Sequence, residues 1–154
     1  MLALSDAELA LGRQAAAKRA FEQAQARAIG VSEGTRLDSA VGLARVALMQ
    51  CDGAAALQAI QDFMARWANG GMIGSAGDLR LFKLTCYRVL ERAGDPRAAE
   101  WLERAHTELQ STAARVSDKR LRECFLANIP HHREIVAAWQ QAQRQGGGGN
   151  AGVR

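Results

Sequence analysis

The chain has 154 residues, of which 48% are apolar and 5% aromatic, and its 20 basic and 16 acidic side chains leave a net charge of +4. This length suits one domain with its own core, and the interleaved charges differ from the basic stripe expected of a nucleic-acid-binding protein. No apolar run reaches the ~18 residues of a membrane span, and the acidic start MLALSDAEL is not that of a signal peptide. We therefore expect a cytoplasmic protein without a membrane segment.

Alanine dominates the apolar residues, prolines are only two, and no segment shows the alternation of a half-buried strand. The pattern predicts an all-α protein. In the first half of the chain, the predicted helices span residues 2–11, 13–29, 35–51 and 54–68. Gly12 separates the first two, Thr35 is the predicted N-cap of the third, and Asp52-Gly53 is the turn before the fourth.

Residues 79–109 predict two amphipathic helices joined by a tight turn at Gly94-Asp95-Pro96. Gly94 can take the left-handed conformation that ends a helix, Asp95 can cap the next helix, and Pro96 suits its first turn. Neither helix can bury its apolar stripe alone, so we expect the rest of the chain to pack around this hairpin. The glycine-rich segment 69–77 before it lacks the Gly-Lys-Ser/Thr of a phosphate-binding loop, which favours a plain connection between helices.

The last part of the chain predicts a short helix, a break and a final helix. Ser117-Asp118 is a cap signal for a helix that ends near residue 127, and Pro130 separates it from a helix at 131–144. The remaining residues, 145–154, are rich in glycine and have nothing to bury, so we expect them to be disordered. The predicted organisation is one helical domain at 1–144 followed by this tail.

The three cysteines, Cys51, Cys86 and Cys124, are far apart in the sequence, and none belongs to a C-x-x-C pair. This spacing argues against a zinc cluster or a disulfide framework. Each lies in an apolar helical pattern, so we predict buried free thiols in a reducing compartment.

The second helices of three successive hairpins share one spacing: a small residue, a large apolar residue four positions later, and an apolar residue three positions after that. The three sets are Ala17-Phe21-Ala24, Ala56-Ile60-Phe63 and Ala98-Leu102-Ala105. A glycine lies just upstream each time, at 12, 53 and 94, and the small residues Ala44 and Cys86 precede the last two sets by twelve positions. We expect the small residues to let helices approach closely and the large ones to fill the gaps between hairpins.

This spacing resembles the second-helix signature of tetratricopeptide repeats. The resemblance implies a tetratricopeptide-like α-solenoid, in which antiparallel helical hairpins stack into a right-handed superhelix, here closed by a terminal helical pair. The chain departs from the family in three respects. Its first unit lacks a clear pattern for the first helix of a repeat. Its units are longer than the usual ~34 residues, and Ala40 stands where the first helix of a repeat carries a large aromatic residue.

The segment ARVSDKRLRECFLANIPHHREIVAAW, residues 114–139, resembles the end of the helical-repeat regions that close large bacterial signalling proteins. Those proteins combine an ATPase domain with a cyclase or DNA-binding output domain. The matching positions here are Arg122, Phe125, Leu126, Asn128, Pro130, His132, Arg133 and Trp139. With the repeats, the resemblance covers about residues 2–139. It implies a module for protein–protein interaction or regulatory scaffolding, the partner-binding tail of such a regulator.

In tetratricopeptide arrays the first helix of each hairpin lines a concave groove, which binds a protein or peptide. The positions that the resemblance places there are Asp38, Arg45, Arg80, Lys83, Tyr87 and Glu91, together with Val41 and Leu48. Arg80, Lys83 and Tyr87 share one helix face, which could hold a carboxylate-bearing peptide by charge and by stacking on the tyrosine. We expect Arg80 and Lys83 to lie on a solvated surface.

The alternative function is nucleic-acid binding by part of a transcriptional regulator, through the basic cluster at 115–133. Its members are Arg115, Lys119, Arg120, Arg122 and Arg133. Aromatic stacking partners are lacking there, so a protein partner remains the main expectation.

No motif predicts a catalytic site, so we expect neither an enzyme nor a cofactor. His131 and His132 are adjacent, and we expect them to point to different sides of a helix. We therefore predict no metal site, even with Cys124 nearby. His106 is expected to be solvated.

Overall fold

The computed structural model describes residues 7–28, 30, 33–69 and 78–147. A single helical turn at 7–10 precedes seven helices, which are α1 Gln14–Ala28, α2 Glu33–Met49, α3 Gly53–Ala68, α4 Leu79–Arg92, α5 Ala98–Ala114, α6 Lys119–Ala127 and α7 Pro130–Gly147. These ranges contain no strand, which confirms the predicted all-α class. None of the helices described is long and apolar enough to cross a membrane.

The helices pack mainly on their neighbours in the chain. The closest pairs are α1 with α2, α2 with α3, and α4 with α5. In addition, α2 contacts α4 and α4 contacts α7, so these three helices lie side by side in one row. α3 also packs against α4, and α5 also packs against α6 and α7. The row of α2, α4 and α7 is the part of the fold that forms the candidate site.

The core is centred on the hairpin α4/α5. Its buried apolar residues include Phe82, Leu84, Val89, Leu90, Ala98, Trp101, Leu102, Ala105 and Leu109. Trp67 of α3 joins them, with its ring centroid 6.4 Å from that of Phe82 and 6.3 Å from that of Trp101. Phe82 and Trp101 meet edge to face at 5.6 Å. Aromatic pairs of this kind add about 0.5–1.5 kcal/mol each to the gain from burial, so the three rings hold α3 against the hairpin.

All nine positions of the shared spacing are buried, namely Ala17, Phe21, Ala24, Ala56, Ile60, Phe63, Ala98, Leu102 and Ala105. Phe21 of α1 shows what the spacing achieves. Its ring packs on Gly42 of α2 so closely that a β-carbon at position 42 would overlap the ring atoms. The missing side chain lets the two helices approach, and the ring fills the space between them.

The turns α2/α3 and α4/α5 each contain one residue in the left-handed conformation. Gly94 has a φ of 67°, as the sequence predicted for the end of α4. In the earlier turn the same role falls to Cys51, with a φ of 61°, whereas Gly53 is already the first residue of α3. A β-carbon makes this conformation unfavourable, so Cys51 is a strained position.

The hydrogen bonds of the two turns also match. The backbone N–H of Asp52 donates to the Ala47 carbonyl at 2.9 Å, and that of Asp95 donates to the Leu90 carbonyl at 2.9 Å. Both bonds span five residues, which is the pattern of the Schellman helix end. The two turns are therefore equivalent structures, and they place Cys51 in register with Gly94.

The two turns differ in the residues that follow them. Asp52 caps α3 directly, since its side chain accepts a hydrogen bond from the Ala55 N–H at 2.9 Å. Asp95 instead accepts from the Arg97 N–H at 2.9 Å and pairs with the Arg97 guanidinium at 2.7 Å, and α5 begins only at Ala98. The hydrogen bonds from Arg97 lower the pKa of Asp95 to about 2. Asp95 thus stabilises the turn, and it does not cap α5 as predicted.

Other predicted boundaries shift by a few residues. Asp118 caps α6 as predicted, by accepting from the Leu121 N–H at 2.8 Å. Thr35 lies inside α2, which begins at Glu33, and therefore does not cap it. The last helix runs on to Gly147. The glycine-rich segment at 70–77 and the tail beyond residue 147 lie outside the described residues.

The cysteines are free, but only one of them is buried. Cys86 lies inside the core, and burial raises the pKa of its thiol well above the usual value. Cys51, in the turn after α2, and Cys124, on α6, are both exposed. The prediction of three buried thiols is wrong for these two because a turn and a helix without buried residues offer no core to enter.

Candidate partner-binding cleft

A cleft of about 1000 Å³ lies along the row of α2, α4 and α7, and we call it the α2/α4/α7 cleft. The helical turn at 7–10 contributes to its lining. Its apolar lining residues are Leu9, Ala10, Leu48, Met49, Leu81 and Leu84. Its titratable lining residues are Arg45, Arg88, Glu91, Arg92, His131 and Glu134. A concave apolar surface with a few charged groups is typical of ligand-binding sites.

Met49 is the most accessible large apolar side chain of this lining. It is 47% exposed at the end of α2, whereas Leu9 is buried in the small core that also holds Phe21. Methionine is flexible and polarizable, so it adapts to different apolar partners. The cleft therefore offers accessible apolar surface, and not only charge.

Arg88 links α4 and α7, two of the three helices that form the cleft. Its guanidinium donates to Glu91 on α4 at 3.0 Å and to Glu134 on α7 at 2.9 Å. Burial alone would lower the pKa of Arg88, but the hydrogen bonds to these two carboxylates outweigh burial and raise it. The guanidinium also lies 5.2 Å from the centroid of the Tyr87 ring. These contacts fix the spacing between α4 and α7 along the cleft.

Two of the six predicted groove residues, Arg45 and Glu91, line this cleft, as does Leu48. The other four do not belong to the lining, and they are Asp38, Arg80, Lys83 and Tyr87. On α4 the lining residues are instead Leu81, Leu84, Thr85, Arg88, Glu91 and Arg92. The face of α4 that meets the cleft is thus rotated from the predicted one.

Lys83 departs furthest from its prediction. It is 5% exposed, in contrast to the solvated surface expected for it. Its ammonium forms an ion pair with Glu108 of α5, and lies 4.9 Å from the ring centroid of Trp67. A buried ammonium needs such partners, because burial removes its hydration. Lys83 therefore serves the packing of α3, α4 and α5, away from the cleft.

Tyr87 and Arg80 are also engaged within the fold. Tyr87 is buried and its hydroxyl donates a hydrogen bond to Glu91. Burial and this carboxylate raise the pKa of Tyr87 to about 12. Arg80 is half-buried, pairs with Asp78 at 3.1 Å and lies 5.6 Å from the centroid of the Phe125 ring. Neither side chain is free to stack on or pair with a peptide in the manner predicted.

The rotation of α4 has a simple origin in the register of the repeat. The prediction aligned the two hairpins on their second helices, where the matching residues Ala56 and Ala98 are 42 positions apart. The first helices are aligned instead by the equivalent turns at their ends, where the matching residues Cys51 and Gly94 are 43 positions apart. One residue turns a helix by about 100°, which is enough to move Lys83 from the cleft into the core.

Asp78 and His131 meet where α4 and α7 begin, next to the cleft. Asp78 is the N-cap of α4 and accepts from the Arg80 N–H at 3.0 Å, while its other carboxylate oxygen lies 2.6 Å from His131 Nε2. Burial by itself would raise the pKa of Asp78. The hydrogen bond from His131 and the charges of His131 and Arg80 outweigh burial and hold the pKa well below its usual range.

The expectation that His131 and His132 point to different sides of a helix is wrong. Their ring centroids are 4.6 Å apart in an edge-to-face arrangement. Both lie in the first turn of α7, where adjacent residues project only about 100° apart, and Asp78 approaches the same place from α4. Sequence spacing could not indicate this cluster, because Asp78 is 53 residues from His131. Among the described residues, Cys124 is not part of it.

The basic cluster at 115–133 is not a single free patch. Arg122 donates to the Val116 carbonyl at 2.8 and 3.0 Å, so it stabilises the connection between α5 and α6. Lys119 lies 4.0 Å from Glu123 on the exposed side of α6. Arg115, Arg120 and Arg133 are exposed.

Comparison with known proteins finds no family model, no curated protein and no solved structure that matches this chain.

Proposed function

We propose that this protein is a cytoplasmic protein-interaction module, and that the α2/α4/α7 cleft binds a segment of a partner protein. Its hairpins form a tetratricopeptide-like α-solenoid in this proposal. The module serves as a regulatory scaffold, the partner-binding tail of a bacterial signalling regulator of the kind that residues 114–139 resemble.

The observation that carries the proposal is that equivalent positions of two successive hairpins line one cleft. In the register given by the turns, Arg45 corresponds to Arg88, Leu48 to Glu91 and Met49 to Arg92, and all six line the cleft. Stacked repeats build an extended concave surface in this way, because each unit presents the same helix face. The buried small–large spacing of the second helices supports the same arrangement.

The lining indicates what kind of segment would bind. Leu48, Met49 and Leu81 offer apolar surface, and Arg92 adds an exposed positive charge at the end of α4. Arg88 already holds two carboxylates, so a bound acidic side chain would compete with Glu91 or Glu134 for it. We therefore expect an amphipathic segment with apolar anchors and an acidic group.

The proposal is tested by Met49→Glu, with Leu121→Glu as the matched control. Leu121 is 61% exposed on α6, outside the cleft lining, so both changes place a carboxylate at an exposed apolar position. Proteins captured from a lysate by the wild type are identified, and the affinity of one of them is measured for each variant. Met49→Glu should weaken binding roughly tenfold or more, as expected of an anchor at the centre of an interface, and Leu121→Glu should not. Equal affinities for both variants would contradict the proposed surface.

A second pair of variants tests the nucleic-acid alternative. Lys119→Glu with Arg120→Glu reverses two exposed charges on α6 and leaves the cleft unchanged. If the basic cluster binds nucleic acid, capture should be abolished by nuclease and by this double variant, and it should fall steeply with salt. Nuclease-resistant capture that persists in the double variant supports the cleft.

A further inference from the structure

One donor atom from each of Asp78, His131 and His132 lies within 4.8 Å of the other two. The three residues come from two elements that meet at their first turns, the N-cap of α4 and the start of α7. Two imidazoles and one carboxylate are a donor set that catalytic and regulatory metal sites use. The ion pair between Asp78 and His131 would by itself explain why these two residues are close. The evidence for a metal site therefore depends on His132.

His132 is 1% exposed, and it carries a polar atom without a partner. Its Nδ1 lies 2.9 Å from the Phe125 carbonyl, which only accepts, so this nitrogen bears the hydrogen. In the neutral ring the other nitrogen, Nε2, is then an acceptor with a lone pair. Within the described residues Nε2 is buried and has no hydrogen-bond partner. Leaving such an atom unsatisfied is unfavourable, because it has lost its hydration without gaining a partner.

The ring of His132 is also prepared for coordination. Histidines that bind metals through one nitrogen usually donate the other N–H to a carbonyl or carboxylate, which fixes the tautomer and the ring orientation. The bond from Nδ1 to Phe125 is of this type, and the Phe125 ring further packs on the imidazole with centroids 4.5 Å apart. A metal ion bound at Nε2 would satisfy this unpaired atom.

We propose that Asp78, His131 and His132 bind a divalent transition-metal ion of the zinc class, with water in the fourth position on the side of the cleft. Two imidazole nitrogens select such an ion over Mg²⁺ and Ca²⁺, which prefer oxygen ligands. Arg80 already neutralises part of the Asp78 charge through its ion pair at 3.1 Å. Hard cations, which depend on carboxylate charge, therefore gain little from this site.

Binding requires only a small local change. The 2.6 Å hydrogen bond between His131 and Asp78 must open, because two ligands of one tetrahedral zinc ion lie ~3.3 Å apart. The donor atom of His132 lies within 4.8 Å of those of Asp78 and His131, and these two distances must shorten to the same ~3.3 Å. The ion takes the place of the hydrogen between His131 and Asp78, which leaves Nε2 either to solvent or, in a neutral ring, by moving to Nδ1 of His131.

The experiment is a titration of the full chain, free of any histidine tag, with Zn²⁺, Co²⁺ and Mg²⁺, followed by calorimetry. We expect one Zn²⁺ or Co²⁺ per chain and no heat with Mg²⁺. Asp78→Asn removes the charged ligand but keeps the cap of α4, since asparagine caps helices as well as aspartate. This variant and His131→Gln should each bind Zn²⁺ ~100-fold more weakly or not at all, given that outer-shell changes alone cost 10–100-fold.

His106 provides the matched control, because it is the chain's third histidine and lies outside the cluster, stacked on Trp139 at 4.5 Å. His106→Gln should leave the affinity unchanged. His132 is too deeply buried for a reliable substitution, so its part is followed by long-range ¹H–¹⁵N NMR. Zn²⁺ should shift the Nε2 resonances of His131 and His132 and leave those of His106 in place.

Three results would overturn the proposal. The first is the absence of Zn²⁺ binding by the wild type at millimolar metal. The second is an unchanged affinity in either Asp78→Asn or His131→Gln. The third is binding that leaves the Nε2 resonance of His132 unmoved, which would mean that the ion is held elsewhere.

Discussion

The hairpins α2/α3 and α4/α5 end their first helices in the same way but bury different groups along them. In the register of the two turns, Ala40 of α2 corresponds to Lys83 of α4, and both are buried. Ala40 needs no partner, whereas Lys83 depends on Glu108 and on the Trp67 ring. Equivalent backbone positions can thus be filled by an alanine or by a paired ammonium. The turn sets the register, and the neighbouring helices decide which side chain is stable there.

The largest expected effect is at the charged position of the second hairpin. Lys83→Glu would place two carboxylates together beneath α5, and breaking a buried ion pair costs ~3–5 kcal/mol. We expect a loss of this size in the free energy of unfolding, measured by urea denaturation. The control is Lys83→Met combined with Glu108→Leu, because replacing both members of a buried ion pair by apolar side chains of similar volume is often neutral. If Lys83→Glu were as stable as the wild type, Lys83 would have to be solvated.

The next effect distinguishes the first hairpin from the second. Gly42 of α2 corresponds to Thr85 of α4, and Gly42 lies directly under the Phe21 ring. Gly42→Ala should cost ~1–3 kcal/mol by overpacking against Phe21. Thr85→Ala, which loses the hydrogen bond to the Leu81 carbonyl at 2.8 Å, should cost ~1 kcal/mol at most.

A double-mutant cycle checks that the cost at position 42 arises from the ring. Adding Phe21→Leu to Gly42→Ala should destabilise by less than the two single changes together, because the smaller side chain leaves room for the new methyl group. Additive losses would indicate that the clash is not with Phe21.

A smaller effect is expected at the turn of the second hairpin. Gly94 has a φ of 67°, and a β-carbon costs ~1–2 kcal/mol in this conformation. A β-carbon at Gly94 would have space, because no atom of the described residues other than its chain neighbours lies within 4 Å of that position. Gly94→Ala should therefore lower the free energy of unfolding by about 1 kcal/mol. A loss of several kcal/mol would point to a contact at this turn beyond backbone strain.

At the equivalent turn of the first hairpin, a substitution should instead raise the free energy of unfolding. Cys51 already carries the strain, so Cys51→Gly should stabilise the protein by ~0.5 kcal/mol, which is the strain relieved less the entropy that glycine loses on folding. Cys51→Ser is the control for the thiol and should change little. Should Cys51→Gly destabilise the protein, the two turns would not be equivalent in energy.

The smallest expected effect is a loss of stability as the pH falls, and we expect it in the second hairpin and not in the first. His106 on α5 is half-buried against Trp139 rather than solvated, and burial lowers its pKa. The unfolded chain then takes up a proton first, so the contribution of His106 is full above about pH 6.5 and is lost as pH falls below it. Hydrogen exchange should show α5 losing protection between pH 7 and 5.5, while α2 and α3, which contain no histidine, do not change. His106→Gln should remove this part of the pH dependence.

Much of the fold could be read from local patterns. Helix periodicity and caps indicated the helices, and the shared spacing identified nine positions that are all buried. The candidate cleft was less accessible to such reasoning. α4 is buried on most of its circumference, from Phe82 to Tyr87 and at Val89 and Leu90, so no polar face marked the side that meets the cleft. The residues predicted to line the cleft on α4 depended only on how the two hairpins were aligned, and that alignment was displaced by one residue.

The amino-acid sequence by itself determined the helices and which of their positions are buried, because helix periodicity depends on neighbours within a few positions. The tertiary structure alone decided that Lys83 is buried against Glu108, that Arg88 joins α4 to α7, and that Asp78 meets His131. These pairs are separated by 25, 46 and 53 residues. Which of them form depends on the rotation of each helix about its axis, and that rotation is set by packing in three dimensions.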